Sequence, residues 1–196
     1  SKGATVDEGA RPALDFDEVS RDTTLLIRGA TCGKLPATEF ETSWRVRNER
    51  PESDDSHAAR YARGIAAFHR EWHMTDIRRM RRTQAWEAFF ERYDLLLCPP
   101  GTSAAFRHDH SEPRDERRIP VNGRPQPLID QLFWAGLAGS TYQPVTVAPL
   151  GRTAGGLPIG VQLVGPQYGD LACLRFARLL EGEFRRFEPP PAHSAA

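Results

Sequence analysis

One segment restricts the fold more than any other. Gly151–Pro166, GRTAGGLPIGVQLVGP, sets five glycines and two prolines around a single alternating apolar run. A phosphate cradle orders its parts as strand, glycines, then the N-terminus of a helix, because the helix end supplies free amides and positive potential. Here apolar runs flank the glycines on both sides, Val145–Ala148 before them and Ile159–Val164 after. That order predicts an antiparallel pair joined through Leu150–Leu157. Gly151, Gly155 and Gly156 are expected to supply positive-φ freedom in the turn, and Gly160 to relieve crowding inside the second strand. The segment reads as a hairpin, not a nucleotide site.

The remaining pattern divides the chain in two. A short strand is expected over Lys2–Glu8. Phe16, Val19, Thr23, Leu26 and Ile27 recur at helical spacing within Asp15–Ala30. Asn48–Ser56 is a polar loop, and Ser56 is placed to cap a helix from His57 to about His73. Thr75 or Asp76 then caps a second helix with Ile77, Met80, Trp86, Phe89, Phe90 and Tyr93 near one face. Beyond Tyr93 the chain changes character. Asp94–Cys98 is a continuous apolar run stopped by Pro99–Pro100, as suits a strand buried on both faces. Ala105–Pro127 reads as a long loop with an Asn122–Gly123 turn, Leu128–Ala138 as a short apolar helix, Leu171–Phe184 as a closing helix, and Glu188–Ala196 as a tail.

Composition removes several functions. The 26 basic residues balance 26 acidic ones, so no net field draws nucleic acid or an anionic membrane. The Arg-rich helices interleave Glu71, Asp76, Glu87 and Glu91, which fits a solvated surface. No apolar run approaches the roughly 18 residues of a membrane span, and without a signal pattern the expected location is cytoplasmic. Cys32, Cys98 and Cys173 form no CxxC pair and read as reduced, buried thiols. His69 and His73 share a helical face, but Glu71 is not placed as in the zinc protease motif and no third ligand is evident. His108-Asp109-His110 reads as a polar loop. No metal and no cofactor are expected, and a zinc hydrolase ranks as a distant third reading. There is no Gly-x-Ser-x-Gly, and no serine stands beside a His or Lys base.

YDLLLCPPGTSAAF (residues 93–106), DQLFWAGLAGSTYQPVTVAPLGR (130–152), GGLPIGVQLVGPQYGD (155–170) and the helix LACLRFARLLE (171–181) together resemble the C-terminal half of an amidase signature family hydrolase. Gly156, Leu157, Pro158, Gly160, Gln162, Gly165 and Asp170 carry the match. One departure is Tyr142-Gln143-Pro144-Val145, where relatives often read Leu-Pro-Ala. The resemblance implies an α/β fold, part of a mixed β-sheet flanked by helices. Residues 1–196 would form the C-terminal part of one amidase-type domain: a mainly helical layer over 13–93, core strands and closing helix over 94–187, and a tail over 188–196.

The family hydrolyses carboxamides with a Ser-cisSer-Lys triad held in its N-terminal half. This chain has no Ser-Ser dipeptide and only two lysines, Lys2 and Lys34, so it is assigned no catalytic residue. Its expected role is sheet core and one wall of a substrate pocket. Pro100, Gly101 and Thr102 lie at the C-terminal end of a strand, where open α/β sheets place ligands, and Phe133 and Trp134 stand on the short helix. The implied partner is an N-terminal amidase half or another copy of the chain, with a small amide as substrate of the complete enzyme. The alternative is a non-catalytic subunit or binding module that keeps half of the fold.

Overall fold

The computed structural model describes residues 3–111 and 116–189. Four helices come first: α1 (Phe16–Thr31), α2 (Ala37–Glu49), α3 (His57–Ile65) and α4 (His69–Phe90). The Asp15 carboxylate caps α1, accepting the Asp17 and Glu18 N–H groups at 3.0 Å each. Inside the α1–α4 contact, Asp22 is 5% exposed and accepts from Arg78 and Arg82, an ion cluster that locks the two helices. Nothing in the sequence signals α2, which buries only Ser43 and leaves Phe40 and Trp44 exposed against α3. A helix without an apolar stripe has no periodic signal to find.

Two sequence expectations about this layer are corrected. The helical break lies at Ala66–Phe68, not near His73, and α4 runs without interruption through Thr75 and Asp76. Glu71 is the reason. Its carboxylate accepts the Phe68 N–H at 2.8 Å and so starts α4 there, while the Thr75 hydroxyl bonds back to the Glu71 carbonyl and caps nothing. No strand forms over Gly3–Glu8, and Lys2 lies outside the described residues. Asp7 instead turns the chain, accepting the Gly9 N–H at 2.9 Å and the Tyr93 hydroxyl at 2.7 Å.

The second part is built of β1 (Leu96–Cys98), β2 (Arg118–Val121), β3 (Arg124–Pro127), α5 (Leu132–Gly139), β4 (Val145–Arg152), β5 (Pro158–Val164) and α6 (Asp170–Glu183). The expected long loop therefore contains a hairpin, β2–β3, turning on Asn122 (φ 51°) and Gly123 (φ 76°). Pro120, Pro125 and Pro127 argue against strands, yet a two-stranded ribbon has only edges, where proline is tolerated. Of the expected tail, residues 190–196 lie outside the described residues, and Glu188 pairs with Arg152 at 2.7 Å.

The main sheet has the order β1–β5–β4, with both pairs antiparallel. The β4–β5 hairpin is the one expected. Only Gly156 of its three turn glycines takes positive φ, at 83°. Thr153 closes the turn through its backbone bonds to Gly156 and Leu157, so Gly151 and Gly155 need no such freedom. Gly160 does relieve crowding: a Cβ there would meet Val147 Cγ1 at 2.9 Å.

One face of the sheet, with Leu96, Cys98 and Val164, packs on Val19, Trp86, Phe89, Leu137 and Ala138. The other, with Ala148, Val161 and Leu163, packs on Phe176, Ala177 and Leu180 of α6. Among the described residues neither β1 nor β4 has an outer neighbour. The Gly165 N–H bonds the Pro144 carbonyl, so by ladder alternation Val145, Val147 and Pro149 turn their backbone groups outward from β4, and Leu97 does so at β1. Pro99 follows β1 directly, and Pro149 stands inside β4 at a bulge between Pro149 and Gly151. No helix among the described residues is long and apolar enough to cross a membrane.

Candidate functional site

α5 is apolar on all sides because it serves two surfaces at once. Leu137 and Ala138 enter the core, with Trp134 packed against it. Gln162 of β5 reaches under α5 and donates to the Trp134 carbonyl at 3.2 Å and to Cys98 Sγ at 3.3 Å. Burial pushes the Cys98 thiol above its ordinary range, which keeps it protonated and poor as a nucleophile.

The opposite side of α5 faces α1 across a groove of about 970 Å³. Leu132, Phe133, Gly136 and Ser140 form one wall, and Ser20, Thr23, Thr24 and Ile27 of α1 form the other. Trp72 and Arg79 of α4 close one side, and Thr102 closes another. The helices come near each other where Gly136 lies against Thr23, since a Cβ on Gly136 would stand 3.2 Å from Thr23 Cγ2. A large, mainly apolar concavity with a few polar groups is the ordinary form of a small-molecule site.

The residues expected from sequence are thus distributed over two depths. Thr102 and Phe133 line the groove. Pro100 lies by Gly160, Gly101 backs onto Gln131, and Trp134 joins the core. Gln131 is the residue that sequence reasoning missed. Its Oε1 accepts the Thr102 N–H at 3.1 Å and its Nε2 donates to Ser103 Oγ at 2.8 Å. A Cβ on Gly101 would meet that same Oε1 at 2.8 Å, so the glycine makes room for the clamp. Nothing local marks a glutamine whose partners lie 28 and 29 positions away.

The charged groups at the groove are largely self-neutralised. Arg60 is paired with Asp55, and Arg79 with Asp76 at 2.7 Å. Arg60 holds the Asp55 carboxyl below its ordinary range. Arg28 lies over the Tyr61 ring at 4.6 Å, and Arg79 over that of Tyr142 at 4.6 Å. Tyr142 sits at φ 60°, an uncommon conformation for a non-glycine residue, where the sequence leaves the Leu-Pro-Ala pattern. Asp17 and Asp130 remain exposed. Two groups of the wall are unsatisfied: the hydroxyl oxygens of Thr23 and Thr102 are buried and have no hydrogen-bond partner. A buried group left so costs roughly 1–3 kcal/mol.

Other candidate chemistry is dispersed. His69 and His73 stack in the first turn of α4 with ring centroids 6.3 Å apart, while Glu71 turns away to Arg47 and the Phe68 amide. Among the described residues no three His, Cys, Asp or Glu side chains are grouped to hold a metal ion. Ser103 Oγ bonds the Ala104 carbonyl and Ser140 Oγ the Leu137 carbonyl, and neither is paired with a base.

The family model described as Amidase matches residues 27–174. No curated protein matches the chain. Several solved structures share the fold. One is an inhibitor-bound vestigial protein complex that bears on the origins of an s-triazine catabolic enzyme (TM-score 0.62, 21% identity), of which the alignment covers 36%, against 88% of this chain. A bacterial aryl acylamidase of the amidase signature family has a TM-score of 0.57 at 20% identity, over 94% of this chain and 39% of its own. One component of the glutamyl-tRNA(Gln) amidotransferase of Thermotoga maritima gives 0.57 at 16%, over 91% of this chain and 36% of its own. The chain therefore spans well under half the length of the structures it resembles.

Proposed function

Because the chain belongs to the amidase family, we propose that it is the C-terminal part of a carboxamide hydrolase whose nucleophile and base stand outside these 196 residues. Residues 1–196 are then one portion of a single amidase-type domain, cytoplasmic in its setting. Its share of the work is sheet core and a wall of the substrate pocket, with Thr102 and Phe133 toward the amide and Pro100, Gly101 and Trp134 behind them. The observation that carries this reading is the family match over residues 27–174 in a chain that has no Ser-Ser pair and only Lys2 and Lys34 as lysines. Amide hydrolysis needs nucleophile, base and oxyanion donors preorganised in one place. Ser103 and Ser140 are tied to backbone carbonyls, and Lys34 is exposed in a short turn after α1.

The test is an assay of the purified chain against aryl and aliphatic amides, with and without a co-expressed amidase N-terminal half. The chain alone is expected to give no turnover, and the pair to give it. Turnover by the chain alone that disappears in Ser103→Ala or Ser140→Ala overturns the reading. A second reading, a non-catalytic binding module, is favoured by one feature: the groove of about 970 Å³ between α1 and α5. Ligand binding by a stable monomer, with no N-terminal half able to restore turnover, would select it.

A further inference from the structure

We propose that His69 and His73 form an exchangeable surface site for one transition-metal ion of the nickel(II), copper(II) or zinc(II) class, with water in its remaining positions. The site stands on the outer face of α4 and is independent of the hydrolase reading. It also differs from the three-ligand zinc centre of a hydrolase, for which this chain groups no third side chain among the described residues. Three observations carry it.

The spacing comes first. Residues four apart on a helix are surface neighbours, and two histidines so placed can ligate one ion from a single face. The rings of His69 and His73 do lie together, within 12° of parallel and with centroids 6.3 Å apart. Both residues are exposed. Among the described residues the rings touch each other and make no hydrogen bond, so an ion reaches their nitrogens without breaking one.

The same turn is pinned from behind. Glu71 accepts the Phe68 N–H at 2.8 Å and pairs with Arg47, and the Trp72 Nε1–H donates to the Leu26 carbonyl at 3.0 Å. The Thr75 hydroxyl bonds the Glu71 carbonyl at 2.8 Å. The backbone between the two histidines is thus ordered before an ion arrives, and chelation has only two side chains to fix. Turning about χ1 and χ2 can bring one nitrogen of each ring to about 2.0–2.1 Å from a shared ion. His108 and His110 lack this support. Their rings stand at 86° in a segment outside any helix or strand, and Asp109 between them is turned to Ser111.

The donor set decides the metal. Glu71 is the one carboxylate between the histidines, and it is already engaged, so the protein ligands are imidazole nitrogens alone. Such a pair suits nickel, copper and zinc, and offers nothing to magnesium or calcium, which take oxygen. Among the described residues no carboxylate backs either ring, which makes the site one of exchange and not of structure. A bound ion ties the first turn of α4 to the second and so resists fraying at its start.

The experiment uses the full chain without a polyhistidine tag, titrated with nickel(II) chloride by calorimetry and followed by its melting temperature. The tightest equivalent is expected at one ion per chain, and Tm is expected to rise with nickel as mass action requires. His69→Ala and His73→Ala should each weaken that equivalent about tenfold or more and remove the rise. Their metal-free Tm should match the parent's, because both side chains are exposed. The double variant His108→Ala/His110→Ala should bind nickel like the parent. Copper(II) should bind more tightly than nickel(II), and magnesium(II) should not bind. Nickel held equally by the parent and by either single alanine variant overturns the proposal. So does binding lost only in the double variant, or magnesium bound as tightly as nickel.

Discussion

Thr102 shows how a single residue is placed by others. Its position after a strand stopped by prolines marks it in the sequence, but Gln131 sets where it faces. Thr23 carries the same lesson from the other wall. At its helical spacing it reads as one more core position, yet its enclosed hydroxyl has no hydrogen-bond partner among the described residues. Asp54 offers a residue-scale prediction about acid. Arg50 donates to its carboxylate at 2.8 Å and the Ser56 N–H at 2.9 Å, and the two hold its pKa down from the ordinary 3.8 to about 2. A carboxyl depressed in the folded state stabilises above its unfolded value and ceases to do so as pH falls through its folded value. The gap in melting temperature between the parent and Asp54→Asn should thus hold steady above about pH 5 and close between about pH 4 and pH 2. A gap that persists at pH 2, or is absent at pH 7, would contradict the assignment.

Whole elements were legible where one periodicity ruled. The β4–β5 hairpin, α1 and α6 announce themselves through an unbroken pattern and a stop; β1 does so too, but it is shorter than Asp94–Cys98 and its expected burial on both faces fails at Leu97. Legibility failed where contacts decided instead. α2 has no stripe, the α3–α4 break is set by Glu71, and β2–β3 forms despite its prolines. The α1–α4 packing yields a prediction at this scale. Gly29 lies under Trp72: a Cβ there would stand 2.6 Å from Cδ1 of the indole, whose Nε1 donates to the Leu26 carbonyl at 3.0 Å. Glycine to alanine within a helix ordinarily stabilises by about 1 kcal/mol. Here the ring must move and lose its bond, so Gly29→Ala should destabilise by about 1–3 kcal/mol in urea unfolding. Gly33→Ala, which opens onto free space, should not. Equal effects of the two would show that Trp72 is not seated as described.

At the scale of the molecule the three-stranded sheet has, among the described residues, two open rims, with Leu97 48% exposed at one and Val147 54% exposed at the other. Open apolar rims pair with whatever strand is offered. In sedimentation equilibrium the chain should gain average mass with concentration, and Val147→Lys should hold it nearer the monomer. A parent chain that stays monomeric up to the solubility limit would count against usable rims. The prolines say more than whether a strand can be added. Pro149 removes an outward donor from β4, and Pro99 ends β1 toward the same end of the sheet. An added strand can zip only along Leu97 or along Val145 and Val147 before its own donors and acceptors fall out of step. One residue of slip exchanges its two faces. The prolines therefore act as a ruler: they fix the phase of whatever completes this sheet, so that an incoming strand arrives with its apolar side already indexed to α6 or to the core.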